Sequence, residues 1–350
     1  MTVNLADVAE ACGLSASTVS RALSDPDKVN ASTRERVQRI ARELGYTPNR
    51  VARSLSLGRT GTIGLIVPDI ANPFFPPIIK AVQSRCATKD LAVVLADTDE
   101  HAADELTRAR AMSKQVDGLI MVSPRAADAK MAEIGKLGPT VFVNRQVPRA
   151  PAVLIENPDG MRQAVEHLTS LGHRRIAYLA GPRRSWSNQR RREVIAAVCE
   201  ERGAEFLEYG PFEPQVQAGV RAADLLHGSG VTGVIAYDDL IALGVLARMA
   251  ERGQRAGVDV SVIGIDDSPL SGVAYPTLTS VHVPCAEAGT AAVDLLLDVL
   301  DGTVDAAGDP PVVQLESYLV IRGSTGPAPG EAAAFLPQTP VAYSTPAPSV

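Results

Sequence analysis

From Thr62 onward the chain alternates short runs of Val, Ile, Leu and Ala with amphipathic stretches, and no other feature restricts its fold as much. The runs at 63–67, 91–96, 118–122, 140–144, 152–155, 176–180, 233–237 and 260–265 are continuously apolar rather than alternating. Strands of that kind are covered on both faces, as in parallel sheets. Helical periodicity separates most of them, at 78–89, 104–115, 160–171, 191–202, 240–252 and 287–300. The alternation predicts parallel α/β sheets joined by helical crossovers. About ten strands favour two subdomains over one very wide sheet. Such sheets take ligands beyond the carboxyl ends of their strands, so the loops there hold the candidate site residues.

The first 60 residues follow a different pattern. They carry nine Lys and Arg against six acids, a local net charge of +3, which leaves −9 on the remainder of a chain whose total is −6. A basic head on an acidic body points to a polyanion as the head's partner, although a solvated basic face gives the same count. Asn4 is placed to cap a helix carrying Leu5, Val8, Ala9 and Cys12, and Gly13 suits the left-handed residue that ends it. Ser15 caps a second helix through Thr18, Val19 and Leu23. A third runs from about Ala31 to Leu44, with Val37, Ile40, Ala41 and Leu44 on one face. Residues 49–57 are a candidate for a short fourth helix before Gly58. Two short helices with small residues at the crossing and a tight turn make 4–23 a helix-turn-helix candidate, though a plain helical hairpin shows the same spacing.

Several function classes are disfavoured. No apolar run approaches the ~20 residues of a membrane span. The first residues lack the basic and apolar segments of a secretory signal, which favours the cytoplasm. Cys12, Cys86, Cys199 and Cys285 lie far apart without a Cys-x-x-Cys pair, so neither a metal site nor a disulfide framework is expected. The pairs Asp238-Asp239 and Asp266-Asp267 resemble the paired carboxylates of glycoside hydrolysis, but adjacent loop acids more simply supply one ligand contact and one helix cap. No nucleophile elbow or phosphate loop occurs, so no catalytic residue, cofactor or enzymatic activity is expected.

The segment from Asn4 to Leu23 closely resembles the DNA-binding head of the lactose-repressor (LacI) family of bacterial transcription regulators. The resemblance continues through Leu44-Gly45-Tyr46-Thr47-Pro48-Asn49 and Ile63-Gly64-Leu65-Ile66-Val67-Pro68-Asp69. It extends to Leu171-Gly172-His173-Arg174-Arg175-Ile176, Asp239-Leu240-Ile241-Ala242-Leu243-Gly244 and Ile321-Arg322-Gly323-Ser324-Thr325. It implies a helix-turn-helix domain at 1–48, a hinge helix and linker at 49–60, and a periplasmic-binding-protein-like core at 61–325. The core's N-subdomain would span about 61–159 and 285–316, and its C-subdomain about 160–284 and 317–325. Residues 326–350, rich in Pro and Ala, read as a disordered tail.

The same resemblance puts the second helix in the major groove of a near-palindromic operator, with Ala16, Ser17 and Arg21 at the base-reading positions. Arginine suits guanine, and the smaller side chains suit thymine or adenine edges. Thr18 and Ser20 serve equally as phosphate contacts or caps. In the hinge, Asn49 and Ala52 accompany Leu55, which would wedge into the minor groove. The implied effector residues are Asp69, Phe74 and Phe75 from one subdomain and Arg191, Phe212, Asp238 and Asp266 from the other. Flat apolar faces beside charged groups suit a small polar ligand such as a sugar. The loop 183–192 holds five arginines, either an anion-binding feature or a solvated basic loop. The expected protein is a cytoplasmic, nucleoid-associated homodimeric repressor, and the leading alternative is a solute-binding protein of the same core fold.

Overall fold

The computed structural model describes residues 3–24, 29–46, 59–155, 158–304 and 310–330. The chain divides into two compact units, Met1–Thr62 and Ile63–Val350. In the first unit three helices, α1 (Leu5–Cys12), α2 (Ala16–Ser24) and α3 (Ala31–Glu43), surround a small core of Val8, Cys12, Val19, Ala22, Val37 and Ala41. Asn4 and Asp7 form a reciprocal capping box. Asn4 Oδ1 accepts from the Ala6 and Asp7 N–H groups at 2.8 and 3.2 Å, and Asp7 Oδ2 accepts from the Asn4 N–H at 2.8 Å. Gly13 ends α1 at φ 61°, a left-handed conformation that costs glycine nothing, and the turn it makes sets α2 across α1.

The second unit contains two six-stranded sheets. The first is built from β1 (Thr62–Val67), β2 (Ala92–Asp97), β3 (Gly118–Val122), β4 (Thr140–Val143), β5 (Ala152–Leu154) and β11 (Val312–Gln314), in the order β11-β5-β4-β3-β1-β2. The second takes β6 (Arg175–Leu179), β7 (Glu205–Tyr209), β8 (Gly233–Ala236), β9 (Ser261–Asp266), β10 (Thr279–His282) and β12 (Tyr318–Val320), in the order β12-β10-β9-β8-β6-β7. The strand registers are parallel, except that β12 runs antiparallel to β10. The chain passes between the sheets after β5, after β10 and after β11, so each lobe is assembled from separate segments.

Helices cover the sheets. In the first lobe these include α4 (Phe75–Ala87), α5 (Asp104–Met112) and α6 (Asp128–Gly135), together with α12 (Cys285–Leu300), which packs along α4. In the second they are α7 (Pro158–Ser170), α8 (Trp186–Glu201), α9 (Val216–Leu226), α10 (Asp239–Glu251) and the short α11 (Pro269–Val273). Helices α9 and α10 touch backbone to backbone. A Cβ on Gly219 would lie 2.0 Å from the Ile241 carbonyl oxygen, and one on Gly244 would lie 2.0 Å from that of Val216. All four cysteines are buried and none forms a disulfide, and burial pushes the Cys86 and Cys199 thiols up to about 11.

The beginning of the C-terminal segment departs from the expectation of disorder. The Gly326 carbonyl accepts from His173 Nε2 at 3.0 Å, and the Ala328 N–H donates to the Leu171 carbonyl at 2.8 Å. A carbonyl only accepts, so Nε2 carries the imidazole proton, and Nδ1 accepts from Thr232 Oγ1 at 2.9 Å. His173 is wholly buried, and Ala328 is nearly so. Proline and glycine composition misled here because these contacts are made by the backbone, which composition does not report. The rest of the expected tail lies outside the described residues.

Two outcomes follow from this packing. Gly219→Ala forces the α9–α10 pair apart and should cost about 1–3 kcal/mol, read as a lower urea midpoint. A chain ending at Thr325 should melt below one ending at Gly330, because it removes the Gly326 carbonyl that His173 Nε2 and Ser261 Oγ both reach; equal melting temperatures would make that contact energetically idle.

Candidate DNA-reading head and effector cleft

In the head, the Ser15 side chain accepts from the Thr18 N–H at 3.2 Å and so starts α2. Val19 and Ala22 turn into the core, which leaves Ala16, Ser17 and Arg21 exposed on the opposite side of the helix. Thr18 is half-buried and its hydroxyl sits 2.8 Å from Ser15 Oγ, a capping role; Ser20 is half-buried beside the exposed face. Asn49, Ala52 and Leu55 lie outside the described residues.

The cleft between the two lobes is assembled from loops at the carboxyl ends of strands. Phe74 and Phe75 follow β1 at the start of α4 and meet edge to face at 5.0 Å. Ser123 and Arg125 follow β3, Asn144 and Arg145 follow β4, Tyr237 and Asp238 follow β8, and Asp266 ends β9. Several of these carry strained backbones, with φ of 44° at Ser123, 57° at Asn144 and 113° at Asp266. Strain of this kind persists only where surrounding packing imposes it.

Three cavities open along the cleft. The innermost, about 20 Å³, is bounded by Asn72, Phe74, Phe75, Arg191, Asp238 and Asp266, with Arg125, Asn144 and Tyr237 completing the wall. It is too small for a sugar ring, so a ligand seated there has to widen the gap between the lobes. The two outer cavities, about 530 and 560 Å³, are of ligand size. Arg125 borders all three. The Glu105 carboxylate, itself buried, fixes the loop holding it by accepting the Arg125 and Ala126 N–H groups at 2.6 and 2.9 Å. Glu100 receives the Arg125 guanidinium at 2.8 and 3.0 Å.

On the facing lobe, Arg191 reaches the cleft because Ser185 starts α8 ahead of it. Its guanidinium lies 4.9 Å from the Tyr237 ring centre, donates to the Tyr237 carbonyl and stands 3.9 Å from Asp266 Oδ1. Arg190, by contrast, is exposed and paired with Glu193. The two acid pairs separate by role. Asp239 binds the backbone of Ser268 and the hydroxyls of Ser271 and Ser280, and Asp267 holds Arg322 and His282. Asp238 caps α10 through Oδ1, accepting from the Ile241 N–H at 2.8 Å, while its Oδ2 is buried without a hydrogen-bond partner. Burial pushes its carboxyl up to about 7, against the opposing pull of the Ile241 N–H, Arg191 and Asn72.

The site residues expected from sequence therefore separate in space. Phe74, Phe75, Arg191, Asp238 and Asp266 converge on the inner cavity, and Asp69 borders an outer one. Phe212 departs from the expectation: it packs with Leu179, Ala236 and Tyr237 in the core of the second lobe, because its backbone is tied to the Ala180 carbonyl at 2.9 Å. Arg125, Asn144 and Tyr237 were missed, although each stands just past the carboxyl end of a strand, the signal that would have found them.

Comparison with known proteins decides the family. Residues 4–49 match the model for bacterial regulatory proteins of the lacI family, and 165–325 match a periplasmic binding protein-like domain. The transcriptional repressor CytR of Escherichia coli K12 is 33% identical over 333 residues, covering 92% of this chain and 96% of CytR. The chain belongs to the LacI family. Among solved structures, this LacI-family chain superposes on the lac repressor dimer bound to operator and the anti-inducer ONPF with a TM-score of 0.82, at 29% identity, covering 93% of this chain and all of that one. The transcriptional regulator CelR in complex with cellobiose gives 0.68 at 32% identity, covering 92% of this chain and 99% of CelR. Among the described residues no helix is long and apolar enough to cross a membrane, and no cluster of three or more metal-ligating side chains occurs.

The buried acid gives a pH test. A carboxyl whose folded pKa is raised favours folding at low pH, and that stabilisation is lost as pH rises from about 4 toward 7. Asp238→Asn removes the titration, so urea unfolding across that window should slope less in the variant than in the wild type. Identical slopes would mean that Asp238 does not titrate in it.

Proposed function

We propose that this LacI-family protein is a sequence-specific DNA-binding transcriptional repressor, and that a small polar effector held between its core lobes controls its operator affinity. The observation that carries the reading is one chain with both parts: a capped helix-turn-helix whose outer face presents Ala16, Ser17 and Arg21, and a cleft lined from both lobes by charged and aromatic groups. On α2, Arg21 is the residue equipped to clamp guanine O6 and N7, while Ser17 and Ala16 offer a hydroxyl and a methyl. Asn49, Ala52 and Leu55 are assigned to the hinge and its minor-groove contact on the resemblance alone.

In the cleft, Asp238, Asp266 and Arg191 supply polar contacts from the second lobe, with Phe74, Phe75 and Asp69 facing them from the first. A ligand spanning the gap touches both lobes at once and so favours one arrangement of them over another. The relatives' sugar ligands, cellobiose among them, support a sugar or related metabolite as effector. No enzymatic chemistry is assigned to the site, and a regulator of this kind works beside DNA in the cytoplasm.

The working unit we assign is a homodimer on a near-palindromic site, since two heads are needed for two half-sites. Exposed apolar side chains support it. Val94 and Leu95 lie on the edge strand β2 of one sheet, and Val273 and Tyr275 lie in and just past α11, exposed by 78% and 99%.

Operator selection followed by gel shift tests the reading. The full chain should bind its selected site with steep salt dependence, and residues 63–350 should not bind it. Arg21→Ala should weaken specific binding by about 1–3 kcal/mol and random DNA much less. Equal losses on both would make Arg21 a phosphate contact, and operator binding by the headless chain would refute the assignment of the head.

A further inference from the structure

The outer cleft is electrically polarised. Around one cavity stand Arg125, Lys130, Arg145, Arg183 and Arg184 against a single acid, Asp128; around the other, Asp69, Asp99, Glu100 and Glu213 lie beside three arginines. The five arginines of the 183–192 segment, expected to be a loop, are not equivalent: Arg190, Arg191 and Arg192 lie on α8, and Arg183 and Arg184 precede it. Arg190 is paired with Glu193, Arg192 with Glu208, and Arg191 is buried against Tyr237 and Asp266. Arg183 and Arg184 have no carboxylate partner among the described residues, and both border the basic cavity; Lys130, on the opposite lobe, is in the same position.

Two helix starts and a buried arginine also face this cavity. The N-cap residues of α5 and α6 are Ala103 and Ala127, neither of which supplies a side-chain cap, and both line the basic cavity. Each start carries the positive end of a helix dipole, set against the acids of its own first turn, Asp104 and Glu105 in α5 and Asp128 in α6. Arg145, 7% exposed at its side chain, is held by the Pro124 and Ala126 carbonyls and by Asp128, and its Nε–H is buried without an acceptor. An unpaired buried donor of a charged group is costly unless something fills the space beside it.

We infer that the effector carries an oxyanion, a phosphate or a carboxylate, which is received at the end of the cleft formed by Arg183, Arg184, Lys130 and Arg145, while its polar body extends toward Asp238 and Asp266. This rests on the reading of the cleft as the effector site. It divides ligand recognition between two chemistries. The guanidinium forks donate to an oxyanion bidentately, and the inner carboxyls of Asp238 and Asp266 offer oxygens that accept from a ligand's hydroxyl groups. A neutral disaccharide satisfies only the second set. The anion also bridges Arg183 and Arg184 of one lobe to Lys130 of the other, so its charge acts on the lobe arrangement itself.

Trp186 borders the basic cavity and is the only tryptophan in the chain, so its fluorescence reports occupancy there. The full chain is titrated with inorganic phosphate, glucose 6-phosphate, glucuronate and glucose, with ionic strength held constant by chloride to remove screening effects. Phosphate is expected to give a saturable change that weakens by about tenfold or more in Arg183→Ala/Arg184→Ala, since each charge-assisted bond lost is worth about that factor. The Arg183→Lys/Arg184→Lys variant should recover part of it. Both arginines are exposed, and matching melting temperatures establish that the variants fold. Glucose 6-phosphate set against glucuronate distinguishes phosphate from carboxylate as the natural group. Phosphate titrations that are unsaturable, or alike in wild type and the alanine variant, overturn the inference. A saturable response to glucose alone overturns the anion while leaving the effector site in place.

Discussion

Parallel strands cannot be joined by a tight turn, and that constraint determines where this protein keeps its chemistry. Each return to the sheet needs a crossover helix, so the loop after each strand is free to vary while the strand fixes its origin. Ser123 and Arg125 after β3, Asn144 and Arg145 after β4, Tyr237 and Asp238 after β8, and Asp266 at the end of β9 all stand at such ends. The two sheets present these ends to one cleft, so residues more than a hundred positions apart in sequence share a cavity. The core strands supply rigidity, and the loops supply the charged groups and left-handed backbones that a strand interior does not tolerate.

Buried charge is the price of this arrangement, and the cleft meets it by networks rather than by isolated pairs. Arg125 is bound by Glu100 while Glu105 holds its backbone, and Arg191 is held by a ring face, a carbonyl and a carboxylate at once. Arginine suits this work because its planar, weakly hydrated head accepts several partners without losing its charge. The exceptions are informative: Asp238 Oδ2 and Asn144 Oδ1 are buried acceptors without donors, and they sit in the wall of the inner cavity. Native interiors rarely leave such atoms unpaired, and a water, an ion or a ligand is the ordinary partner for one.

The fold was legible from sequence wherever burial was two-sided. The continuous apolar runs of β1, β3, β4, β8 and β9 announced themselves, whereas β7 is interrupted by Glu205 and Glu208, and β11 and β12 are partly exposed strands of three residues, too short for a pattern to stand out. β10 was hidden differently: Thr279 and Ser280 are polar yet wholly buried, because Thr279 N–H donates to Ser324 and Ser280 donates to Asp239. In the cleft, Asp238 and Asp266 were legible as loop acids after strands, but the division of work between each and its neighbour was not. Asp239 and Asp267 look identical in sequence and are consumed by structural hydrogen bonds. Phe212 was legible only as an aromatic in a loop, a residue that serves a core as well as a ligand, and its ring packs among core residues of the second lobe.

Control of DNA affinity places a quantitative demand on the cleft. To move the lobes from one part in a hundred to ninety-nine parts in a hundred of the binding-competent arrangement, a ligand must prefer that arrangement by about 5.5 kcal/mol. Contacts made to one lobe alone are retained in every arrangement and contribute nothing to that difference. Only contacts that exist when the lobes stand at a given separation count. A charge-assisted hydrogen bond contributes about 1.5–3 kcal/mol, so two to four such bonds, gained together in one arrangement, are enough. The cleft provides cations on both sides for this purpose, Arg125 and Arg145 on the first lobe and Arg183, Arg184 and Arg191 on the second. A ligand held by both sets is coupled to lobe movement through every bond that crosses the gap, whereas the apolar faces of Phe74 and Phe75, confined to the first lobe, add affinity without adding control.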